Sequence, residues 1–228
     1  MAAPRTGPKP IFLNDVVTPE GRVSFPHIAE PDKKGPGKPY ADDKFKASLL
    51  MPKSGTDFST LRAKALECAR LAFGAEIKKI EDFAHPFRDG DTRTNKDGEV
   101  MDGYAGCIYI TCKSKDRPLV IDRAKKNLDP KEVYGGCRAR FVVTAMSYTS
   151  TENVRQAGGA IVKETIRGVT FLLDVVQKTG DDASFGGGGK GKAVSALPDD
   201  LDGPGPEEVG VAGEGPAEGE EETKSMFT

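Results

Sequence analysis

Three groups of residues have types and spacings that suggest chemistry, and a phosphate-binding loop is the first candidate. The stretch GGGGKGK at residues 186–192 fits the G-x-x-x-x-G-K pattern of such a loop. The pattern requires a Ser or Thr next, to hold magnesium, and then the N-terminus of a helix. Ala193 stands at the Ser or Thr position, and Pro198 and an acidic run follow. A flexible Gly-rich linker explains these residues better.

The second group is a set of carboxylates, Asp89, Asp91, Asp97 and Glu99. Carboxylates at such spacing suggest a calcium loop or the metal site of a nuclease. Arg93 occupies a position at which a calcium loop needs an oxygen ligand, and no glycine falls where that loop turns. We therefore predict a polar turn and no metal site. A metal-dependent nuclease that uses this loop is the alternative from the class of enzymes.

The third group contains four cysteines and two histidines: Cys68, Cys107, Cys112, Cys137, His27 and His85. Structural zinc sites usually use closely spaced ligand pairs, and no C-x-x-C pair is present. We expect buried, reduced thiols and no cofactor. The histidines have no nucleophile at a telling spacing, so the sequence predicts a binding protein and not an enzyme.

Charge is divided unevenly along the chain. Of the 33 basic and 35 acidic residues, residues 193–228 hold one and ten, which leaves 32 and 25 to residues 1–192. A cationic body of about +7 is thus joined to a tail of about −9. This asymmetry favours a body that binds a polyanion such as nucleic acid, and a tail that competes with it. The alternative is a moderately charged body with a tail that only adds solubility.

The chain divides into four predicted segments. Residues 1–10 are Pro-rich and basic and suggest a flexible arm, residues 11–180 form one domain, and residues 181–196 form the Gly-rich linker. Residues 197–228 have few apolar side chains and many like charges, which predicts a disordered acidic tail. No apolar run approaches the length of a membrane span and no signal peptide is evident, so we expect a soluble, cytoplasmic protein without membrane contact.

Alternation of apolar and polar residues predicts six or seven short strands in the body. In residues 44–53, Ala47, Leu49 and Met51 share one face with Phe45, and lysines share the other face with Ser48. The segments 21–28, 104–113, 118–121, 137–148 and 169–178 also have strand character, and residues 149–159 suggest a polar turn region.

One helix is predicted between the early and the middle strands. Its apolar residues recur at helical spacing until Gly74 supplies a stop, and they are Leu61, Ala65, Leu66, Ala69 and Phe73. Short strands with one helix indicate a small β-barrel or sandwich that carries a helix.

Aromatic residues and cations share the polar faces of these predicted strands. Single-stranded nucleic acid requires such a surface, because bases stack on rings while cations follow the phosphates. The alternative is that each tyrosine covers the core and each lysine is only solvated. The candidate DNA-binding residues lie on the central strands, on a nearby strand and on a basic loop, and they are Tyr109, Lys113, Arg138, Arg140, Tyr148, Lys44, Lys46, Lys33, Lys34, Lys38 and Tyr40.

The order of several short motifs resembles a family of bacteriophage single-stranded DNA-binding proteins. The motifs are GRVSFP at 21–26, Tyr40 followed by LLMPK at 49–53, PFRDGD at 86–91, RP at 117–118, and YGGC at 134–137 with the Arg-bearing strand after it. Each motif is short, so the specificity lies in their order over roughly residues 10–180. The acidic tail extends the resemblance.

The resemblance implies a mainly β protein with an OB-fold-like Greek-key barrel and one inserted helix. It also implies sequence-independent binding of single-stranded DNA during phage replication, recombination and repair, in the cytoplasm of the bacterial host. Phe87 and Arg88 of the third motif join the candidate DNA-binding residues. RNA binding by an OB-fold adaptor module is a further alternative.

The tail of such a family contacts replication proteins, namely polymerase and helicase-primase. The candidate partner-binding residues are Glu220, Glu221, Glu222 and Phe227. Here Lys224, Ser225 and Met226 separate the acids from Phe227, and Thr228 follows it, whereas related tails end on an aromatic residue directly after acids. The resemblance leaves open whether the protein forms a homo-oligomer.

Overall fold

The structure is a computed structural model that describes residues 9–35, 41–74, 77, 83–155 and 161–185. Eight strands and one α-helix follow each other along this part of the chain: β1 (Phe12–Val17), β2 (Gly21–Asp32), β3 (Lys44–Pro52), α1 (Ser59–Phe73), β4 (Phe87–Asp89), β5 (Cys107–Ser114), β6 (Leu119–Ile121), β7 (Arg138–Arg155) and β8 (Ile161–Gly180). Short 3-10 turns lie at Gly90–Thr92 and Pro130–Glu132.

Five of the strands close a barrel in the order β2, β3, β5, β8, β7. Strand β2 pairs with both β3 and β7, and β7 pairs with β8, all antiparallel. The parallel pair of β5 and β8, with Cys112 opposite Phe171, completes the ring. Strands β1, β4 and β6 add to its edges, and α1 is inserted between β3 and β5. This confirms the expected OB-fold-like Greek-key barrel with one inserted helix.

The barrel interior is filled by the apolar faces that alternation predicted. Leu49, Met51, Ile110, Phe141 and Phe171 are among its fully buried side chains. Directly opposite residues of an antiparallel pair lie on the same face, so each pairing of β3 with β5 on the inward face adds two side chains to this core. Three of the four cysteines, Cys68, Cys112 and Cys137, are buried, whereas Cys107 is only partly buried, and all four are unpaired thiols. Burial raises the pKa of the Cys112 thiol.

Helix α1 covers one opening of the barrel. Its buried residues Leu61, Ala65, Cys68 and Ala69 face β1, β7 and β8. The side chain of Asp57 accepts a hydrogen bond from Ser59 N–H at 2.8 Å, which satisfies one of the free donors of the first turn. Gly74 ends the helix at a φ of 58°, in the left-handed region that glycine tolerates.

Strand β2 contains a bulge at Phe25. Ser24 lies opposite Ser48 and His27 lies opposite Lys46, so β2 has one more residue than β3 between these two pairs. Regular alternation would put Phe25 on the core face with Val23. Instead Phe25 has a φ of 47° and half of its surface is exposed. For a bulky residue, such a backbone costs on the order of 1–3 kcal/mol.

The expected polar turn at 149–159 is wrong for most of its length. Strands β7 and β8 continue as a two-stranded ribbon, with pairs running from Tyr148 opposite Gly168 out to Arg155 opposite Ile161. Thr149 and Thr151 are β-branched, and their strand propensity is realised once a partner strand lies alongside. These polar residues therefore form strands and not a turn.

Other expectations concern segments at the ends of the chain. Arm residues 1–8, the glycine stretch at 186–192 and the acidic tail lie outside the described residues. Within the described part, no helix has the length and apolarity needed to cross a bilayer.

Two glycines of β8 provide a test of how tightly the barrel is packed. A Cβ atom at Gly168 would lie 2.6 Å from the backbone oxygen of Ala84 and 3.0 Å from the ring of Tyr148, whereas a Cβ at Gly180 meets nothing within 4 Å. We expect Gly168→Ala to lower the free energy of unfolding by about 1–3 kcal/mol through overpacking. Chemical denaturation followed by circular dichroism measures this loss. Gly180→Ala is the matched control, and equal stabilities of the two variants would contradict the packing described.

Candidate nucleic-acid interface

The outer faces of β3 and β5 form the floor of a polar groove. Opposite pairs on this face are Lys46 with Lys113, Ser48 with Thr111, and Leu50 with Tyr109. The hydroxyls of Ser48 and Thr111 are hydrogen-bonded at 2.8 Å. Because the same register buries Leu49 and Ile110 on the other side, the groove and the core are two faces of one pairing.

The groove has a volume of about 430 Å³ and gathers rings and cations from several elements. Strand β4 contributes Arg88, which lies opposite Tyr109, and the ribbon contributes Tyr148. The residues that give the lining its character are Phe25, Arg88, Arg93, Tyr104, Tyr109, Lys113 and Tyr148. The structure therefore brings together four predicted residues: Arg88, Tyr109, Lys113 and Tyr148.

Tyr109 is held in place by a second tyrosine. The buried Tyr104 packs edge to face against Tyr109, with ring centroids 5.1 Å apart. The Tyr104 hydroxyl donates to Ser24 Oγ at 3.1 Å, and burial raises the pKa of that phenol. Such support fixes the ring of Tyr109, which is itself only partly buried.

Two lysines of this strand face are paired with carboxylates: Lys113 lines the groove, and Lys46 lies opposite it on β3, outside the lining. Lys113 Nζ lies 2.7 Å from Asp42, and Lys46 forms an ion pair with Asp32. Partial burial of Asp42 opposes its ionisation, but the hydrogen bond and charge of Lys113 outweigh burial and lower the pKa of Asp42. These cations are oriented before any ligand arrives, and a phosphate must compete with their carboxylates.

Arg138 lies in the same cross-strand row as Tyr109, beyond Leu50 and Arg22, and is not part of the groove lining. Its Nε donates to Asp182 at 3.1 Å, and Glu20 lies 3.9 Å away. Arg22 donates to the backbone oxygens of Gly136 and Ala183, and its guanidinium lies 4.1 Å from the ring centroid of Phe185.

Residues 181–185, predicted as the start of a free linker, are therefore held against the domain. Tyr134 accepts a hydrogen bond from Asp182 N–H, and Phe185 N–H donates to Gly135 at 2.8 Å. The chain folds back here because Asp182 pairs with Arg138 and the ring of Phe185 packs against Arg22. The described chain ends at this contact.

The remaining predicted residues lie outside the groove lining. Phe87 packs edge to face on Phe171 in the core, because it precedes Arg88 and alternation turns it to the other face. Arg140 is exposed on β7 opposite Gln177, and Lys44 lies at the start of β3. Lys33 and Lys34 are exposed after β2. Lys38, Tyr40, Glu220, Glu221, Glu222 and Phe227 lie outside the described residues.

Among the aromatic and cationic residues that give the lining its character, three were not predicted from the sequence: Phe25, Arg93 and Tyr104. Arg93 lies within a predicted turn and Tyr104 at the edge of a strand-like segment, so the face of each is undefined in the sequence. The dipeptide Phe25-Pro26 carried a usable signal. A proline inside a strand removes one ladder donor and often marks a bulge.

Two carboxylates of the Asp89–Glu99 loop, Asp89 and Asp91, are paired with protein groups. Lys53 Nζ lies 2.7 Å from Asp89 and 2.6 Å from Asp91, and Asp91 also accepts a hydrogen bond from Gly106 N–H. The hydrogen bond from Lys53 is the largest cause that lowers the pKa of both carboxyls. Among the described residues, no group of three or more His, Cys, Asp or Glu side chains is arranged to hold a metal ion.

A second, larger cavity of about 680 Å³ lies beside α1. Its lining is mainly apolar and includes Ala65, Leu66, Phe83 and Phe87, with Arg62 at one side. Such a lining offers few partners to phosphate groups. The polar groove is thus the better candidate for binding a polyanion.

The chain is similar to known proteins over most of its length. The sequence model of the family described as "Enterobacter phage Enc34, ssDNA-binding protein" matches residues 14–201. A relative named p50 from Acyrthosiphon pisum secondary endosymbiont phage 1 is 31% identical over 188 residues, which cover 78% of this chain and 88% of the relative.

Solved structures show weaker similarity. The single-stranded DNA-binding protein of bacteriophage Enc34 in complex with ssDNA is 23% identical, with a TM-score of 0.46 over 80% of this chain and 91% of that chain. Gp2.5, a single-stranded DNA-binding protein of bacteriophage T7, is 15% identical, with a TM-score of 0.45 over 90% and 100% of the two chains. The family match, which spans most of the chain, confirms the resemblance found in the order of the motifs. The chain belongs to the Enc34 family of phage single-stranded DNA-binding proteins.

Proposed function

We propose that this chain binds single-stranded DNA without sequence preference in the groove lined by Tyr109, Tyr148, Lys113 and Arg88. One observation carries the proposal: two rings and two cations from β4, β5 and the ribbon line a single polar groove on the outer face of a five-stranded barrel. Every base has a face that can stack on a ring, so stacking does not depend on the DNA sequence, and the cations contact the phosphates. The corresponding strand face and flanking loops are where OB-folds bind oligonucleotides.

The binding is non-enzymatic in this account. A nuclease would need free carboxylates to hold its metal, whereas Asp89 and Asp91 accept hydrogen bonds from Lys53. The protein would coat single strands during phage replication, recombination and repair in the host cytoplasm. Family membership supports this role.

Replacement of a tyrosine tests the groove directly. Tyr109→Ala should weaken binding to an oligothymidylate by about 5- to 100-fold, because one base–ring stack is worth ~1–3 kcal/mol. Tyr109→Phe keeps the ring and should bind like the wild type. Lys113→Ala should instead reduce the salt dependence of the affinity, by about 0.7 in slope for each phosphate that the lysine no longer neutralises. Fluorescence anisotropy at several salt concentrations measures both effects.

Thermal denaturation checks that each variant is folded. An unchanged affinity of folded Tyr109→Ala would remove the groove from the binding site. Competition by single-stranded RNA and by duplex DNA, with labelled single-stranded DNA and added magnesium, identifies the ligand class. Equal competition by RNA would make the chain a general single-strand binder, and cleavage of the probe would identify a nuclease.

The acidic tail is proposed to compete with DNA for the domain and to contact polymerase and helicase-primase through Glu220, Glu221, Glu222 and Phe227. The position of Phe185 supports this idea, since the chain continues toward the tail from a point beside Arg22. By register, Arg22 lies opposite Leu50 in the same cross-strand row as Tyr109.

Removal of the tail provides the test. Deletion of residues 197–228 should tighten binding to oligothymidylate at low salt, with little difference at high salt, because screening weakens the competition. The control keeps the length of the tail and replaces its ten acidic residues by their amides. The control should bind like the deletion variant. Equal affinities of the deletion variant and the wild type at low salt would rule out competition by the tail.

A further inference from the structure

Phe25 is an exposed aromatic residue inside the polar groove. Half of its side chain is open to solvent, and it lines the same groove as Tyr109, Tyr148 and Lys113. No ring contact involving Phe25 is found among the described residues. Its face is therefore available to a ligand.

The backbone explains how an apolar side chain comes to lie on a polar surface. The extra residue between Ser24 and His27 breaks the alternation, so two successive side chains, Ser24 and Phe25, turn to the groove side. A bulge commonly redirects one side chain of a strand in this way. Pro26 follows, and since it has no N–H group, the bulge loses no ladder donor at that position.

A phenylalanine at the bulge does not favour folding. Phe25 has a φ of 47°, in the left-handed region that glycine and asparagine tolerate and bulky residues avoid. Because half of the ring is exposed, its burial contributes little hydrophobic stabilisation to offset this strain. Strained residues of this kind cluster at ligand-binding sites, where the surrounding structure holds them in place.

We propose that Phe25 is a nucleobase-stacking residue and that the bulge in β2 presents its ring to the DNA. The inference rests on the proposed function of the groove and adds a third ring to it. Strand β2 lies two strands away from β5, and Phe25 lies three residues along β2 from Arg22, which shares the cross-strand row of Tyr109. The two backbones are therefore roughly 14 Å apart. The two rings would thus stack on different bases of one strand.

Phe12 offers a matched control. It is also an exposed phenylalanine on a barrel strand, with 52% of its surface accessible against 50% for Phe25. It lies on β1, opposite Met146 of β7, and is not part of the groove lining. Any general effect of removing an exposed ring should appear at both positions.

The first experiment measures affinity and stability together. Phe25→Ala should weaken binding to oligothymidylate by about 5- to 100-fold at every salt concentration, with an unchanged salt slope, because a stack involves no counterion release. Phe25→Gly should bind as weakly but unfold at a temperature no lower than Phe25→Ala, since glycine adopts this backbone freely. Phe25→Tyr and Phe12→Ala should both bind like the wild type.

The second experiment uses the absence of tryptophan from the sequence. Phe25→Trp introduces a single reporter, whose fluorescence should be quenched when a base stacks on it, whereas the reporter of Phe12→Trp should not respond. Affinity of Phe25→Ala within twofold of the wild type, or equal quenching at both positions, would overturn the inference while leaving the groove intact if Tyr109→Ala still binds weakly. Absence of ssDNA binding by the wild type would overturn both the proposed function and this inference.

Discussion

The register between β3 and β5 is the constraint on which the rest of the structure depends. Eight consecutive pairs, from Phe45 opposite Ser114 to Pro52 opposite Cys107, run without a bulge. A shift by one residue would move Leu49 and Ile110 out of the core and Tyr109 and Lys113 into it. Burial of the apolar face therefore also fixes the polar face. Because burial of the core determines this register, it also determines which side chains face the groove.

The charges around this groove are balanced in a way that suits reversible binding. Lys46 and Lys113 are held by Asp32 and Asp42, and Arg138 is held by Asp182. Each carboxylate orders a long cationic side chain and also weakens its attraction for phosphate. Neither Lys113 nor Arg138 is deeply buried, so salt screens these pairs and their separation costs little.

Much of the fold could be predicted because alternation is strict where one strand face is buried. The inward faces of β3, β5 and β7 follow directly from their sequences, as does helix α1 with its stop at Gly74. The site was predicted in part for the same reason: Tyr109 and Lys113 alternate with Ile108 and Ile110. The closure of the barrel, in contrast, was available only from the family resemblance.

The failures have physical causes. The β7 half of the ribbon was missed because residues 149–153 are all polar. Without apolar residues at every second position, the sequence carries no signal of a strand there. Phe25 was misplaced because a bulge inverts the face of one residue, and the strand pattern assumes that no residue is extra. The ion pair of Arg138 with Asp182 could not be predicted, because it depends on residues 181–185 folding back. Long-range contacts of that kind leave no local pattern.

Photocrosslinking locates bound DNA on the protein surface. An oligothymidylate containing 5-iododeoxyuridine would be bound to the full chain and irradiated, and the crosslinked residues identified by mass spectrometry. We expect crosslinks at Tyr109 and Tyr148 in the groove. Crosslinks confined to the apolar cavity beside α1, at Phe83 or its neighbours, would contradict this expectation.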